Sequence, residues 1–180
     1  MGPKADLHPY VGLARLTVTR LLQGKPLPES GIAVDPDAGL WDFSRACFVS
    51  IKKSNGDLRG CIGTIFPAHP TLDREIISNA AAASTRDPRF PPMVEAEMEA
   101  ALFSVDVLSH PEPVETPADL NPAVWGVIVT GNGRRGVLLP DLEGVDTVER
   151  QLGIATQKAG LRSLDGVTIE RFRVDRYKEV

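Results

Sequence analysis

Phe48-Val49-Ser50-Ile51-Lys52-Lys53-Ser54-Asn55-Gly56-Asp57-Leu58-Arg59-Gly60-Cys61-Ile62-Gly63-Thr64 reads as two alternating runs joined by Asn-Gly. Asn-Gly between such runs is the strongest short-range hairpin signal, because both residues tolerate the positive φ of a tight turn. Strands are predicted over residues 46–53 and 58–65. With Asn55 and Gly56 at the centre of a type I′ turn, Ser50 faces Cys61, Lys52 faces Arg59, Val49 faces Ile62 and Phe48 faces Gly63. Alternation then gives an apolar face of Cys47, Val49, Ile51, Leu58 and Ile62. The more polar face carries Phe48, Ser50, Lys52, Arg59, Cys61 and Ile65.

Upstream, Leu7, Val11, Ala14, Val18, Leu21 and Leu22 recur at helical spacing, with Asp6 or His8 as caps, Pro9 in the first turn and Gly24 as a stop. Residues 25–39 lack periodicity and read as a surface connection. Downstream, Pro67-Ala68-His69-Pro70 breaks the sheet. Leu72, Ile76, Ala80 and Ala83 mark a helix that ends before Asp87-Pro88, with Thr71 as cap and Asp73 and Glu75 favouring the first turn. A short helical stretch over residues 94–98 precedes a strand through Ala101, Phe103, Val105 and Val107, then a proline-rich loop over residues 111–122.

The order then repeats. A strand over residues 125–130, a turn at Gly131-Asn132-Gly133, a strand over residues 134–139 and a helix with stripe Val148, Leu152, Ala155 and Ala159 follow one another. NGDLRGCI in the first unit matches NGRRGVLL in the second, which marks an internal duplication of hairpin plus helix, with too few copies for a solenoid. Val167, Ile169, Phe172 and Val174 form a last strand with a bulge. The fold class is α+β with a largely antiparallel sheet.

The chain's 180 residues are 42% hydrophobic and 24% charged, an ordinary globular composition and enough for a core without staples. Its 20 Lys plus Arg against 24 Asp plus Glu leave a net charge of -4, which argues against gripping nucleic acid or anionic membrane by bulk charge. Arg134-Arg135 is the one short basic cluster in a turn and cannot supply the phosphate contacts a nucleic acid needs. No apolar run reaches the roughly 20 residues of a membrane span or the roughly 7–15 of a signal core, so a cytoplasmic location is expected. The start Met1-Gly2-Pro3-Lys4 has Asp6 where a myristoylation signal has Ser or Thr. His8, His69 and His110 each precede a proline and share no ligand spacing, and phosphate-loop and hydrolase signatures are missing. No metal or cofactor is expected.

Cys47 and Cys61 fall on opposite faces, three rungs or roughly 10 Å apart, too far for a disulfide. Both thiols are expected free. Cys61 lies beside Arg59 and Lys52, charges that favour a thiolate, and Gly60 and Gly63 leave open space around it. The competing reading is a buried, inert cysteine, which a one-residue bulge in the strand would produce.

The heptad Leu58-Arg59-Gly60-Cys61-Ile62-Gly63-Thr64 resembles the hallmark of the AMMECR1 family. Cys47-Phe48-Val49-Ser50-Ile51, the Ala-rich helix, Asp87-Pro88-Arg89-Phe90, Val107-Leu108, Trp125-Gly126-Val127, Gly136-Val137-Leu138-Leu139-Pro140 and Lys158-Ala159-Gly160-Leu161 follow in the family's order. Asp141-Leu142 departs from the Gln-Val of many members. The resemblance implies a single domain over residues 1–180, with two lobes sharing a curved antiparallel sheet and the smaller lobe near residues 86–125. It also implies partners, since prokaryotic members are associated with a Memo-like protein of the extradiol-dioxygenase superfamily and a radical-SAM protein, the AmmeMemoRadiSam association. It brings no established reaction.

Two functional readings stand. In one, an enzyme or substrate-binding subunit takes a small molecule or peptide at the motif. Cys61 acts there as nucleophile or thiol ligand, Arg59 and Arg89 fix an anionic group, Asp87 orients an arginine or handles a proton, and Gly60, Gly63 and Thr64 complete the candidate binding residues. Asp87 and Arg89 also suit a pair that simply pins a loop. In the other, edge strands and the proline-rich loop make a non-catalytic adaptor.

Overall fold

A computed structural model describes residues 7–179, and they fall into two compact units. One holds the chain up to Val107 together with the segment from Arg176 onward, and the other is Leu108–Asp175. The smaller unit therefore does not begin near residue 86. Residues 86–107 fall in the first unit, where residues 101–107 pair with residues 47–53, a long-range arrangement that the prolines of residues 111–122 could not signal.

In the first unit, α1 (Pro9–Leu22) starts at His8, whose Nδ1 accepts from the Tyr10 N–H at 3.3 Å. The alternative cap Asp6 and the Met1–Lys4 start lie outside the described residues. The connection over residues 25–39 contains 3₁₀ turns at Gly31–Ala33 and, at its end, Ala38–Leu40. Strands β1 (Cys47–Lys53), β2 (Leu58–Gly63) and β3 (Ala101–Leu108) are separated by α2 (Leu72–Thr85) between β2 and β3. The sheet runs β2-β1-β3 and closes with β8 (Val174–Lys178). Val49, Ile51, Val105 and Phe103 on its inner face meet Val11, Leu13, Ala14, Leu72, Ile76 and Ala80 of the helices in one core.

The first hairpin keeps the expected pairs Phe48–Gly63, Val49–Ile62 and Ser50–Cys61 but reaches them by another route. Gly56 N–H donates to the Lys53 carbonyl at 2.9 Å and Lys53 N–H to the Asp57 carbonyl at 2.8 Å, and Gly56 has φ +91°. The loop is thus three residues, Ser54-Asn55-Gly56, with the glycine in the left-handed region, not a two-residue type I′ turn. Lys52 consequently faces Leu58 and not Arg59, and the register shifts between Lys52 and Ile51, leaving Arg59 as a bulge before Gly60 rejoins opposite Ile51. Two one-residue departures cancel, and Leu58 moves off the core face.

The second unit has strands β4 (Glu112–Pro113), β5 (Gly126–Gly131), β6 (Arg134–Leu138) and β7 (Thr168–Phe172), in the order β4-β7-β5-β6, with α3 (Val148–Lys158) packed on β5 and β6. The described strands form two sheets of four in place of one shared sheet. The expected final strand is really β7 and β8, one in each sheet, and the break at Arg173 is a crossing and not a bulge. In this hairpin Asn132 (φ +50°) and Gly133 (φ +70°) do form the two-residue turn, pairing Gly131 with Arg134.

The duplicated Arg-Gly has one physical meaning in both units. A Cβ on Gly60 would lie 2.1 Å from the Ala83 carbonyl of α2, and a Cβ on Gly136 would lie 1.9 Å from the Ala155 carbonyl of α3. Each glycine lets the following helix press its backbone against the second hairpin strand.

Candidate functional site

Cys61 lies on β2, an edge strand, with its N–H and carbonyl turned away from β1. Edge groups left open invite pairing with another chain. Here Asp87 and Arg89, from the turn that ends α2, occupy them: Asp87 Oδ2 accepts from the Cys61 N–H at 2.9 Å and Arg89 Nη2 donates to the Cys61 carbonyl at 3.3 Å. Arg89 also forks onto Asp87, at 2.9 Å through Nε to Oδ1 and 2.7 Å through Nη2 to Oδ2. These bonds and two backbone N–H donors hold the buried Asp87 carboxyl well below the usual carboxylate range, while Asp87 raises Arg89. Sequence reading missed that this pair works as a substitute strand.

Arg59, the bulged residue, forks onto Glu97 at 2.6 and 3.0 Å, and its guanidinium lies 5.9 Å from the Phe90 ring. Glu97 is held below its ordinary value chiefly by Arg59. Arg59 Nη1 is buried without a hydrogen-bond partner among the described residues. Thr64 Oγ1 donates to Glu75, a fully buried carboxylate on α2 that also accepts the Ala68 and His69 N–H groups at 2.9 Å. Glu75 thus fixes the loop after the motif and does more than favour a helix dipole. Its place one turn from Leu72 on the apolar stripe was the available signal.

The two motif glycines do not open space. Gly60 receives α2, and a Cβ on Gly63 would fall 2.3 Å from the Phe48 ring, which lies across it. What remains of the heptad for chemistry is the Cys61 thiol. Ser50 and Cys61 are a cross-strand pair without mutual backbone bonds, the closer kind, and the Ser50 hydroxyl donates to Sγ at 3.1 Å. Ser104 faces Ser50 from β3, so Cys61, Ser50 and Ser104 cross the face opposite the helices in a row. Cys61 is half-buried and free; Cys47 is free, fully buried and, with burial as the main cause, pushed up to about 12. Among the described residues no histidine bonds the Cys61 thiol, and no three His, Cys, Asp or Glu side chains converge on a metal-sized gap. Among the described residues no helix is long and apolar enough to cross a membrane.

Two hairpin-plus-helix units, joined in an α+β chain whose signature strand is fastened residue by residue, define the class of protein. The AMMECR1 family model matches residues 11–179, and the chain belongs to the AMMECR1 family. It is 47% identical to a protein of Thermotoga maritima, covering 95% of this chain and 98% of that one. It is 48% identical to a protein of Clostridium acetobutylicum, covering 98% of this chain but 37% of that longer one. In structure it is similar to an uncharacterized protein from Pyrococcus horikoshii, with TM-score 0.84, 29% identity, and coverage of 94% of this chain and 89% of that one.

Proposed function

We propose that this is a cytoplasmic binding subunit that presents the Cys61 thiol, on a rigidly held strand face, to a small molecule or peptide handled together with a Memo-like and a radical-SAM protein. The observation that carries the reading is the contrast within one heptad. Arg59, Gly60, Ile62, Gly63 and Thr64 all serve to fix the strand, and Asp87 and Arg89 clamp the Cys61 peptide, while among the described residues the thiol itself has only the neutral Ser50 hydroxyl as hydrogen-bond partner. A thiol without an adjacent base suits a contact or ligand role better than self-sufficient nucleophilic catalysis. Arg59 Nη1, buried and unpartnered, adds a donor for an acceptor at the motif.

The test is native mass spectrometry of the protein purified from its host, wild type against Cys61→Ser. A retained molecule lost in the variant supports the reading; a molecule retained equally by both, or alkylation of Cys61 that leaves retention unchanged, overturns it. The adaptor reading is favoured by the Clostridium relative, in which this domain is joined to further chain. If Cys61→Ser captures the Memo-like protein as well as wild type does, the docking surface lies away from the thiol.

A further inference from the structure

The second unit carries two unmatched arginines on one cleft. Gly131, Asn132 and Arg134 of the β5–β6 turn face Gly160–Ser163 and Asp165–Val167 across a hollow of about 430 Å³. Arg162 is exposed and has no ion pair or hydrogen bond among the described residues, and the Arg134 side chain makes a single 3.3 Å bond to the Gly160 carbonyl. Two like charges facing one hollow, neither in an ion pair among the described residues, favour an anion. The acid in the cleft, Asp165, is engaged by the Ser163 hydroxyl at 3.0 Å.

Leu161, Arg162 and Ser163 line a second hollow as well, of about 620 Å³, which Val148, Leu152, Gly153 and Leu164 line with apolar surface beside Glu149 and Gln157 of α3. A Cβ on Gly153 would meet nothing within 4 Å, and Leu164 is 40% exposed. One three-residue ridge therefore has a cationic side and an apolar side. We propose that this ridge binds a small organic anion with a short apolar chain, its acidic group on Arg134 and Arg162 and its chain over Leu152 and Leu164. The charge selects the occupant: a neutral apolar ligand leaves the arginines unused, and a bare anion leaves the groove unused. This site is independent of the Cys61 face.

The probes are octyl phosphate below its micelle concentration, inorganic phosphate and octanol, titrated into the full chain at matched ionic strength and followed by amide NMR. Octyl phosphate is expected to bind one to one, at least tenfold tighter than either comparator. Arg162→Gln and Arg134→Gln are each expected to weaken it at least tenfold, and Leu164→Ser to abolish the advantage over inorganic phosphate. All three side chains are exposed, and the same spectra report the fold of each variant. Octyl phosphate binding no tighter than phosphate, or unchanged in both arginine variants, would overturn the proposal.

Discussion

At the scale of single residues, Asp87 is the most committed group in the first unit. It is buried, accepts the Cys61 N–H and holds Arg89. Asp87→Ala leaves that N–H unpaired, while Arg89, half exposed, can turn to water; a loss of about 2–3 kcal/mol is expected by denaturant titration. Asp87 and Glu97 both have folded values below their unfolded ones. Their stabilisation is therefore complete above the unfolded range of about pH 4 and is lost as pH falls through the folded values. Asp87→Asn should flatten the decline in stability between about pH 5 and pH 2, and an equally steep decline would remove Asp87 as its source. Cys47 has the opposite sign. Its folded value, about 12, lies above the unfolded one, so stabilisation is full below about pH 8.5 and declines as pH rises toward the folded value. Native protein should accordingly take up iodoacetamide at Cys61 alone, and at both cysteines in denaturant; modification of Cys47 in native protein would contradict its burial. The pairing of Cys61 with Ser50 was legible in the sequence because turn and bulge errors cancel. Asp87 and Arg89 were placed at the motif, but their bonds to the Cys61 peptide and the Arg59–Glu97 pair were not legible, because bonds spanning 26 to 38 positions leave no local pattern.

Among elements, the hairpins show how one repeated signal produces different turns. Asn-Gly with Leu58 inserted before Arg-Gly takes a three-residue loop and a bulge, whereas Asn132-Gly133-Arg134-Arg135-Gly136 takes the two-residue form without either. Element order and strand character were readable from alternation and turn residues. Loop length was not, since Asn-Gly suits both turns. The shared glycine is the stronger constraint. Gly60→Ala must push α2 off β2 against a backbone carbonyl, which costs about 3 kcal/mol or more. Gly63→Ala meets the Phe48 ring at 2.3 Å and the Cys47 carbonyl at 2.7 Å, so a Phe48→Leu background should relieve the ring's share of its cost. A double-mutant cycle on thermal unfolding measures this coupling, and strictly additive effects would show that the ring is not what Gly63 accommodates.

For the whole molecule, the sequence conveyed the α+β class and the duplication but not the partition into two sheets. That partition depends on where one chain segment, residues 172–174, leaves the second sheet for the first. Glu179 secures the returning strand: its buried carboxylate accepts Arg15 at 2.6 and 2.7 Å and the Phe103 N–H at 3.2 Å. Glu179→Ala should destabilise the first unit by about 2–3 kcal/mol, with hydrogen exchange rising at β3 amides before those of β5. The return of β8 also sets an order on biosynthesis. Domains usually fold in the order in which the ribosome releases them. Here β3 emerges early and keeps one edge unfilled until residues 108–173 have been made, and the second unit, whose β7 ends at Phe172, is completed only just before β8 fills that edge.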